Sequence, residues 1–492
     1  CGGTFILRID DTDQQRNMDE ALGPILQAFR WLGLNWDEGP EVGGEFGPYF
    51  QSQRGHLYQA AIEQLLAEGK AFKDFDAPEI VKSDRDAAEK EKRNYLNIRR
   101  SLDLSPQQIA DLEAQETPYV IRFLVDRSTT VGIRDHVRGD VQWDCSQMPD
   151  PVIMRSNGSP LYNFATVVDD IQLQISHVIR AEEHLANTAV QALMYQALGA
   201  DLPEFAHIPF VAAPGTTKKL SKRDVGKYRN NPQFRKLFDL ADSTLPRLGK
   251  QVDDALNPVM VSFYQEMGFL PEAILNSLAR LGWSYDDKTE NMSLDFIIEH
   301  FTLDRVVKAS AGLDPDKLLA FQEYWVGQLP LADRVQRCVP YLQQVGWLAE
   351  TPTDDDLNFV QRLVVALGDR LKLFSDIVQY DEYFVADEQL TYDEKAVEKR
   401  ARKSEVAIQL LSGFRDALAE SPKFVAADLD TLLHQFVESQ GAKISDIIHV
   451  LRLAVTGKPA GPGMFDCLEL LGRERCLNRI DRFIALCSSN NG

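Results

Sequence analysis

The hydrophobic pattern of this chain changes at about residue 260, and this change limits the possible fold more than any other feature. Before it, an apolar segment at residues 4–9, which predicts a buried strand, precedes amphipathic helical segments at residues 18–33 and 55–68. Such alternation is typical of an α/β domain with a parallel sheet. After it, apolar residues recur with helical spacing only, at residues 273–281, 357–373, 396–419, 426–439 and 469–486. The sequence therefore predicts an α/β front half and an all-α rear half.

A charged stretch interrupts the α/β pattern. Residues 78–118 are rich in charged residues with helical spacing, and a strand-like run follows at residues 118–123. Strand-like segments at residues 151–155 and 177–180 then resume the pattern, followed by a predicted helix at residues 183–198. We interpret the interruption as an α+β insertion.

The composition is that of a globular protein. No apolar run among the 492 residues approaches the roughly 18–20 residues that a membrane-spanning helix needs. The 6 cysteines are scattered without a C-x-x-C pair, which argues against disulfides and cysteine-bound zinc and suits a reducing cytoplasm. The net charge of −21 alone favours an acidic metabolic enzyme over a nucleic-acid-binding protein, although local basic strips still attract phosphates.

A cluster of cations lies in a turn-rich loop and comprises Lys218, Lys219, Lys222 and Arg223. These like charges repel one another and offer no core packing, so their useful partner is a polyanion such as a triphosphate. The competing interpretation is a solvated basic loop, which is the commoner role of a lysine cluster.

Carboxylates follow the first extended segment, at Asp10, Asp11 and Asp13. Ligands of open α/β sheets bind at the carboxyl ends of strands, and carboxylates there suit a metal ion or an amino group. The alternative is that Asp11, Thr12 or Asp13 caps the N-terminus of the following helix.

A third candidate segment contains Tyr162, Arg180 and Glu183. Arg180 ends a predicted strand and Glu183 begins a helix, so a guanidinium lies beside a helix N-terminus and suits an anionic ligand. The alternative is a surface ion pair between Arg180 and Glu183.

Residue order in these segments resembles the class I aminoacyl-tRNA synthetases, and among them the bacterial glutamyl-tRNA synthetases. Residues 219–223 read K-L-S-K-R, where the family has K-M-S-K-S. Residues 2–13 read G-G-T-F-I-L-R-I-D-D-T-D, similar to the family's G-G-x-F-I-L-R-I-E-D-T-D. Residues 162–170 and 177–184 read Y-N-F-A-T-V-V-D-D and H-V-I-R-A-E-E-H, similar to Y-N-F-A-x-V-V-D-D and H-V-I-R-G-E-E-H. Further blocks extend the resemblance over nearly the whole chain.

The resemblance implies an ATP-binding role for the lysine motif, which comprises Lys219, Leu220, Ser221, Lys222 and Arg223. Lys219 and Lys222 would be catalytic, and Lys222 would stabilise the charge that develops on the leaving pyrophosphate. Ser221, Lys222 and Glu183 would bind ATP.

The resemblance also implies a site for the amino acid substrate. Asp10 would bind the α-amino group of glutamate, at a position where the family usually has the longer Glu. Tyr162 and Arg180 would hold the γ-carboxylate.

The architecture implied is a Rossmann-like α/β catalytic domain with an α+β insertion, followed by an all-α C-terminal half. The expected regions are the catalytic parts 1–77 and 146–225, the acceptor-binding insertion 78–145, the stem-contact region 226–310, and the anticodon-binding helical subdomains 311–395 and 396–492.

The implied activity is ATP-dependent attachment of glutamate to tRNA(Glu) through a glutamyl-adenylate. The expected cofactors are ATP and Mg²⁺, without zinc, because residues 72–78 have no cysteine where some bacterial relatives bind that metal. The expected partners are L-glutamate and tRNA(Glu), and we expect a cytoplasmic monomer without a membrane contact. Alternatives are a glutaminyl-tRNA synthetase-like ligase and a non-catalytic tRNA-binding paralogue.

Several further expectations follow from the same comparison of residues. The chain begins at Cys1 without the family's H-I-G-H-like motif, so the sequence as it stands is expected to be truncated and inactive or severely impaired. His184 and His207 are expected to be packed or hydrogen-bonded rather than catalytic. Arg362, Arg370 and Lys372, on one predicted helix, are plausible RNA contacts or solvated charges. The same two interpretations apply to the cations Lys227, Arg229, Arg235 and Lys236.

Overall fold

The chain forms two compact units. The computed structural model describes residues 2–11, 18–213, 215–216 and 218–488. The first unit comprises Cys1–Leu220 and Leu278–Leu313, and the second comprises Ser221–Ser277 and Asp314–Gly492. The boundaries between these units fall inside three of the predicted regions, 146–225, 226–310 and 311–395, and the six predicted domain bounds stay predictions.

All described strands belong to the first unit. They are β1 Ala71–Asp74, β2 Val120–Phe123, β3 Thr130–Asp135, β4 Gly139–Asp144, β5 Val152–Met154, β6 His177–Ala181 and β7 Glu204–Ile208. One sheet is antiparallel with the order β1–β2–β5, and the other is mixed with the order β4–β3–β7–β6.

The mixed sheet brings polar residues to one edge. β6 and β7 are parallel, β7 and β3 are parallel, and β3 and β4 form an antiparallel pair. Arg180 of β6 lies opposite His207 of β7, and Asp135 is the last residue of β3. Because the carboxyl ends of parallel strands meet at the same edge of a sheet, these three residues are neighbours there.

Helices accompany the sheets in the first unit and form nearly all regular structure in the described part of the second unit. In chain order they are α1 Met18–Trp31, α2 Gly55–Ala67, α3 Pro78–Lys90, α4 Pro106–Ala114, α5 Tyr162–Gln172, α6 Leu185–Ala197, α7 Val225–Tyr228, α8 Pro232–Thr244, α9 Val261–Glu266, α10 Pro271–Ala279, α11 Leu294–His300, α12 Pro315–Gln328, α13 Leu331–Gln344, α14 Asp354–Leu367, α15 Glu394–Val397, α16 Glu405–Glu420, α17 Ala426–Ser439, α18 Ile444–Thr456, α19 Met464–Leu471 and α20 Arg473–Ser488. No helix in the described part of the chain is both long and apolar enough to cross a membrane.

The core of the first unit holds α5 in place. Tyr58, Ile62 and Leu65 recur at helical spacing on α2 and are at most 1% exposed. They belong to the same hydrophobic cluster as Phe164 and Val167 of α5. Burying such a side chain contributes roughly 1.5–3 kcal/mol. This packing fixes the position of the first turn of α5, where a candidate substrate residue lies.

The second unit has a separate hydrophobic core. Leu411 and Phe414 of α16, Leu451 of α18, and Ile480 and Phe483 of α20 are each fully buried in it. The apolar periodicity of residues 396–486 therefore reflects helix packing, as predicted.

The prediction of one helix over residues 357–373 is wrong at its C-terminal end. The helix α14 ends at Leu367 because Gly368 adopts a positive φ of 52°, which favours glycine and breaks the helical path. Arg362 lies on α14, Arg370 lies in a short 3₁₀ turn, and Lys372 lies beyond it. The three cations therefore do not share one helix.

Two other predicted helices are interrupted. A π-helical turn at Glu398–Arg402 separates α15 from α16 within the predicted helix 396–419. Gly472, with a φ of 77°, separates α19 from α20 within the predicted helix 469–486. A hydrophobic period alone does not reveal such breaks, because the apolar stripe continues across them.

The prediction of a buried strand at residues 4–9 is wrong in its burial. Ile6 and Ile9 form only isolated parallel bridges with a following loop. Ile9 is buried, whereas Phe5 is 49% exposed. Single bridges do not incorporate the segment into a sheet whose two faces are covered by packed elements, so the segment is only partly buried.

Candidate active site

A cavity of about 370 Å³ opens beside β6 in the first unit. It is lined by Ile6, Arg8, Tyr162, Thr166, Asp170, Leu173, Ile175, His177, Val178, Ile179 and Arg180. The structure thus brings the predicted substrate residues Tyr162 and Arg180 to one cavity, whose volume suits a small ligand.

Neutral acceptors hold the guanidinium of Arg180. Its Nε donates to His207 Nε2 at 3.2 Å, and its Nη2 donates to Thr188 Oγ1 at 2.7 Å and to Gln191 Oε1 at 2.6 Å. Among the described residues no carboxylate forms an ion pair with this guanidinium, so the alternative pairing with Glu183 is wrong. An arginine that is half-buried without a counter-charge is poised for an anionic ligand.

Burial makes the charge of Arg180 more costly. It lowers the pKa of this guanidinium, while Tyr162 and Asp170 act in the opposite direction. Arginine nevertheless stays protonated in proteins, so its partly desolvated positive charge persists. An anionic ligand would compensate this charge.

Two hydroxyl groups complete this side of the cavity. The Tyr162 hydroxyl lies beside the guanidinium of Arg180, and its ring, 45% exposed, packs at 6.2 Å from His184. Thr166, one turn further along α5, is 93% buried (7% exposed), and its Oγ1 has no hydrogen-bond partner. Both hydroxyl groups are available to a polar ligand.

Asp10 is connected to the cavity through Arg8. The Nε of Arg8 donates to Asp10 Oδ1 at 2.7 Å, and its Nη1 donates to Asp170 Oδ1 at 2.8 Å. Asp10 keeps a side chain that is 41% exposed. The neighbouring Asp11 accepts hydrogen bonds from Ser52, so this carboxylate does not cap α1. The alternative caps Thr12 and Asp13 lie outside the described residues.

A buried carboxylate holds the helix α5, which carries three of the cavity residues. Asp169 is fully buried and accepts hydrogen bonds from Gln51 Nε2 at 2.7 Å, Arg54 Nε at 2.6 Å and the Tyr58 hydroxyl. A buried carboxylate with several donors is strongly held, because removing one partner leaves an unsatisfied charge. This cluster therefore fixes α5 against the loop before α2.

The first part of the lysine motif pairs with residues 211–212 in the first unit. Ala212 and Lys219 are bridged antiparallel, and Leu220 N donates to Val211 O at 2.8 Å. Lys219 Nζ donates to both carboxylate oxygens of Glu183, at 2.7 and 3.0 Å. This hydrogen bond lowers the pKa of Glu183 despite the opposing effect of desolvation. The structure therefore joins two predicted ATP-site residues.

The rest of the motif lies in the second unit, because the division falls between Leu220 and Ser221. Ser221 begins a short 3₁₀ turn, where its Oγ accepts a hydrogen bond from Arg223 N at 3.3 Å, and Ser221 N donates to the Tyr228 hydroxyl at 2.9 Å. Lys222 and Arg223 are exposed, and in the described part of the chain neither forms an ion pair. Their charges remain available to an anion.

The cations after the motif are already paired. Lys227, Arg229, Arg235 and Lys236 form ion pairs with Asp224, Asp242, Asp239 and Asp316, respectively. These pairs favour the solvated-charge interpretation over RNA contacts. Across the described residues, no group of three or more His, Cys, Asp or Glu side chains is arranged to hold a metal ion.

Sequence reasoning missed several residues of this site. Arg8, Asp169 and Asp170 were part of the recognised segments, but their roles depend on long-range contacts between α5 and residues before α2. Thr166 carried one signal, since it lies one helical turn after Tyr162 on the same face of α5. His207 is hydrogen-bonded and fully buried, as predicted.

The fold and the site define a class I aminoacyl-tRNA synthetase, and sequence comparison agrees. The family described as "tRNA synthetases class I (E and Q), catalytic domain" matches residues 1–255, and "Anticodon binding domain" matches residues 333–484. The chain belongs to the glutamate and glutamine branch of this family. Its predicted fold class, a Rossmann-like catalytic domain with an all-α C-terminal half, is thereby confirmed.

The similar proteins include bacterial glutamate–tRNA ligases. The ligase of Moorella thermoacetica is 40% identical over 98% of this chain and 91% of its own length, and that of Desulforudis audaxviator is 36% identical over 99% and 91%. A crystal structure of the glutamate tRNA ligase from Elizabethkingia meningosepticum, in complex with its amino acid, has a TM-score of 0.83 and 30% identity. It covers 98% of this chain, which in turn covers 93% of that structure. These relatives confirm the predicted enzyme class, a glutamate–tRNA ligase.

Proposed function

We propose that this protein attaches glutamate to tRNA(Glu) through a glutamyl-adenylate. The observation that carries the proposal is the guanidinium of Arg180, which lines the cavity without a carboxylate partner in the described chain. A glutamate γ-carboxylate supplies the missing negative charge and matches the planar donor geometry of arginine.

The same guanidinium favours glutamate over glutamine. A glutamine side chain is uncharged, so it would leave the arginine buried and without a counter-charge. A binding site that contains a charged side chain discriminates against a ligand without the opposite charge. With such a ligand the free energy of desolvating the charged side chain is not compensated by an ion pair. This argument opposes the alternative of a glutaminyl-tRNA synthetase-like ligase.

The chemistry takes place in two steps. An oxygen of the glutamate α-carboxylate attacks the α-phosphorus of ATP, which enters as its Mg²⁺ complex, and pyrophosphate leaves. A terminal ribose hydroxyl of the tRNA then attacks the acyl carbon, its proton is lost, and AMP leaves. Positioning and charge stabilisation provide most of the catalysis in such reactions.

Each predicted residue has one task in this scheme. Tyr162 and Arg180 bind the γ-carboxylate, and Asp10, held by Arg8, binds the α-amino group. In the motif, Lys222 stabilises the charge that develops on the pyrophosphate.

Lys219 and Ser221 complete the ATP-binding loop. Lys219 is anchored by Glu183 when ATP is absent. Because Glu183 also borders the nucleotide site in our proposal, ATP binding would exchange this ion pair for contacts with the phosphates.

The helical second unit supports the proposed partner. Residues 333–484 match an anticodon-binding domain, and we assign recognition of the tRNA anticodon to this region. Because tRNA charging serves translation, we place the activity in the cytoplasm and expect a monomer.

The experiment that tests the proposal is aminoacylation with the full-length gene product. Radiolabelled glutamate, tRNA(Glu) and ATP should give charged tRNA, whereas labelled glutamine should not. Preferential charging with glutamine would establish the glutaminyl alternative. Binding of tRNA without charging by either amino acid would establish the non-catalytic paralogue.

A further inference from the structure

Three polar residues form a continuous chain behind the wall of the cavity. Asp135 is the last residue of β3, and His207 and Arg180 are the last residues but one of the neighbouring strands β7 and β6. His207 lies between the other two and is 0% exposed. Its Nδ1 is 2.5 Å from Asp135 Oδ2, and its Nε2 is 3.2 Å from Arg180 Nε. A carboxylate, an imidazole and a guanidinium are thus in sequence, and only the guanidinium lines the cavity.

The hydrogen-bond network determines which nitrogen of His207 carries the proton. Asp135 accepts hydrogen bonds from the backbone N–H groups of Val137 at 2.9 Å and Arg138 at 2.8 Å. Burial acts to raise the pKa of Asp135, but these bonds and the one from His207 outweigh it and lower the pKa. An ionised carboxylate can only accept, so His207 Nδ1 donates and Nε2 remains an acceptor for Arg180.

His207 is neutral at pH 7. The charged groups that face it are Asp135, Arg138 and Arg180, and α6 presents only the uncharged Thr188. Burial lowers the pKa of His207, and the two arginines act in the same direction, which outweighs the opposing effect of Asp135. The imidazole therefore accepts a hydrogen bond from the guanidinium without neutralising its charge.

We propose that Asp135 and His207 form a positioning pair that holds Arg180 ready for an anionic substrate side chain. The pair deepens the proposed function and rests on it, because Arg180 is there the ligand of the γ-carboxylate. A carboxylate in place of His207 would neutralise Arg180. A doubly protonated His207 would repel Arg180 and lose the acceptor lone pair.

Two substitutions at the same position separate positioning from packing. His207→Gln places an amide oxygen near Nε2 and keeps an acceptor for Arg180. His207→Asn keeps a donor toward Asp135 and leaves Arg180 Nε without an acceptor. We expect His207→Asn to raise KM for glutamate about 10–100-fold, and His207→Gln to raise it less than about 3-fold, because a hydrogen bond to a charged group contributes about 1.5–3 kcal/mol. KM for ATP and kcat should change little in both variants.

The pH dependence gives a second signature. KM for glutamate of the native enzyme should rise as the pH falls through the lowered pKa of His207, because the imidazole then takes up a second proton. The His207→Gln variant should lack this rise. A merely structural histidine would not produce a pH dependence confined to KM for glutamate.

A variant of Asp135 keeps the test decisive if His207→Asn fails to fold. In Asp135→Asn the carboxylate no longer fixes the tautomer of His207, so Nε2 can be protonated toward Arg180, and KM for glutamate should rise. Equal losses in His207→Asn and His207→Gln, or an unchanged KM for glutamate in Asp135→Asn, would overturn the positioning pair. Failure of the native enzyme to charge glutamate would instead overturn the proposed function.

Discussion

At the scale of single residues, the cavity contains two arginines in opposite electrostatic situations. Arg8 is paired with Asp10 and Asp170, so its charge is compensated within the protein. Arg180 is hydrogen-bonded to an imidazole, a hydroxyl and an amide, so its charge is not compensated within the protein. Only the second arrangement favours an anion from outside, and this difference assigns the substrate carboxylate to Arg180.

Arg180→Gln should therefore impair glutamate recognition specifically. We expect kcat/KM for glutamate to fall about 10–100-fold, because the charge-assisted pair is lost, while KM for ATP stays the same. Steady-state aminoacylation with each substrate varied in turn measures this. Arg155→Gln, which removes an exposed arginine of the first unit outside the cavity, is the matched control. A similar loss in both variants would contradict the assignment.

Lys222→Ala tests the charge assigned to the lysine motif. We expect kcat to fall about 100-fold with KM for glutamate unchanged, since a cation that stabilises the leaving group acts in the transition state. Single-turnover aminoacylation measures this effect. Lys70→Ala removes an exposed lysine that has no role in the proposed site, and it should leave the rate as it is. Native-like charging by Lys222→Ala would refute the role of this lysine.

Much of the site could be predicted from the sequence because its polar residues follow strands or begin helices. Arg180 was identified in this way and Tyr162 through the family resemblance of its segment, and both line the cavity. Asp135 and His207 could not be identified as partners of Arg180, because 72 and 27 residues separate the bonded atoms along the chain. Only the strand order of the mixed sheet makes them neighbours.

At the scale of secondary-structure elements, the apolar period predicted where helices lie better than where they end. The bounds of α17 agree with the predicted helix 426–439. The predicted helix 357–373 does not agree, because Gly368 ends α14. A glycine inside a helical pattern does not by itself show whether the helix ends there. Its positive φ, which the structure provides, decides this.

Asp376 makes the free energy of unfolding dependent on pH. This buried carboxylate follows α14, and its Oδ2 accepts hydrogen bonds from the backbone N–H of Leu373 at 2.9 Å and of Lys372 at 3.2 Å. Burial nevertheless raises its pKa to about 6, against an ordinary value of 3.8. Because the folded-state pKa is the higher one, the contribution to stability is complete below about pH 4 and is lost as the pH rises through about 6.

Asp376→Asn should remove the loss of stability at high pH, since the amide stays neutral and keeps an acceptor oxygen. At pH 8 we expect the variant to be more stable than the native protein by about 1–3 kcal/mol, and the gain should shrink toward pH 5. Urea unfolding at both pH values measures it. Asp446→Asn, which alters an exposed carboxylate bonded to Lys443 N at the start of α18, is the control and should show no such trend. A gain at pH 8 no larger than that at pH 5 would contradict the prediction.

At the scale of the whole molecule, the sequence predicted the change from α/β to all-α structure but not the division into units. Residues 221–277 belong to the helical unit, whereas residues 278–313 belong to the unit with the sheets. Both segments contain helices, and neither contains a strand in its described residues. The apolar period of a segment indicates that one face of it is buried. It does not indicate which of the two hydrophobic cores that face packs against.

Because the chain has two separate hydrophobic cores, we predict that it does not unfold in a single transition. The clusters around Leu65 and around Leu451 share no residue, and both side chains are 0% exposed. We therefore expect at least two transitions in scanning calorimetry. Each Leu→Ala substitution should cost about 2–5 kcal/mol in its own core. Leu65→Ala should lower the midpoint of one transition by several degrees, and Leu451→Ala should lower that of the other.

Glutamate identifies the transition that belongs to the first unit without any substitution. Because the cavity lies wholly in that unit, saturation with glutamate should raise only the transition that Leu65→Ala lowers. A ligand at a hundred times its dissociation constant stabilises the folded form by about 2.7 kcal/mol, enough to shift a midpoint measurably. A single transition that both substitutions lower equally, and that glutamate raises as a whole, would mean that the two cores unfold as one cooperative body.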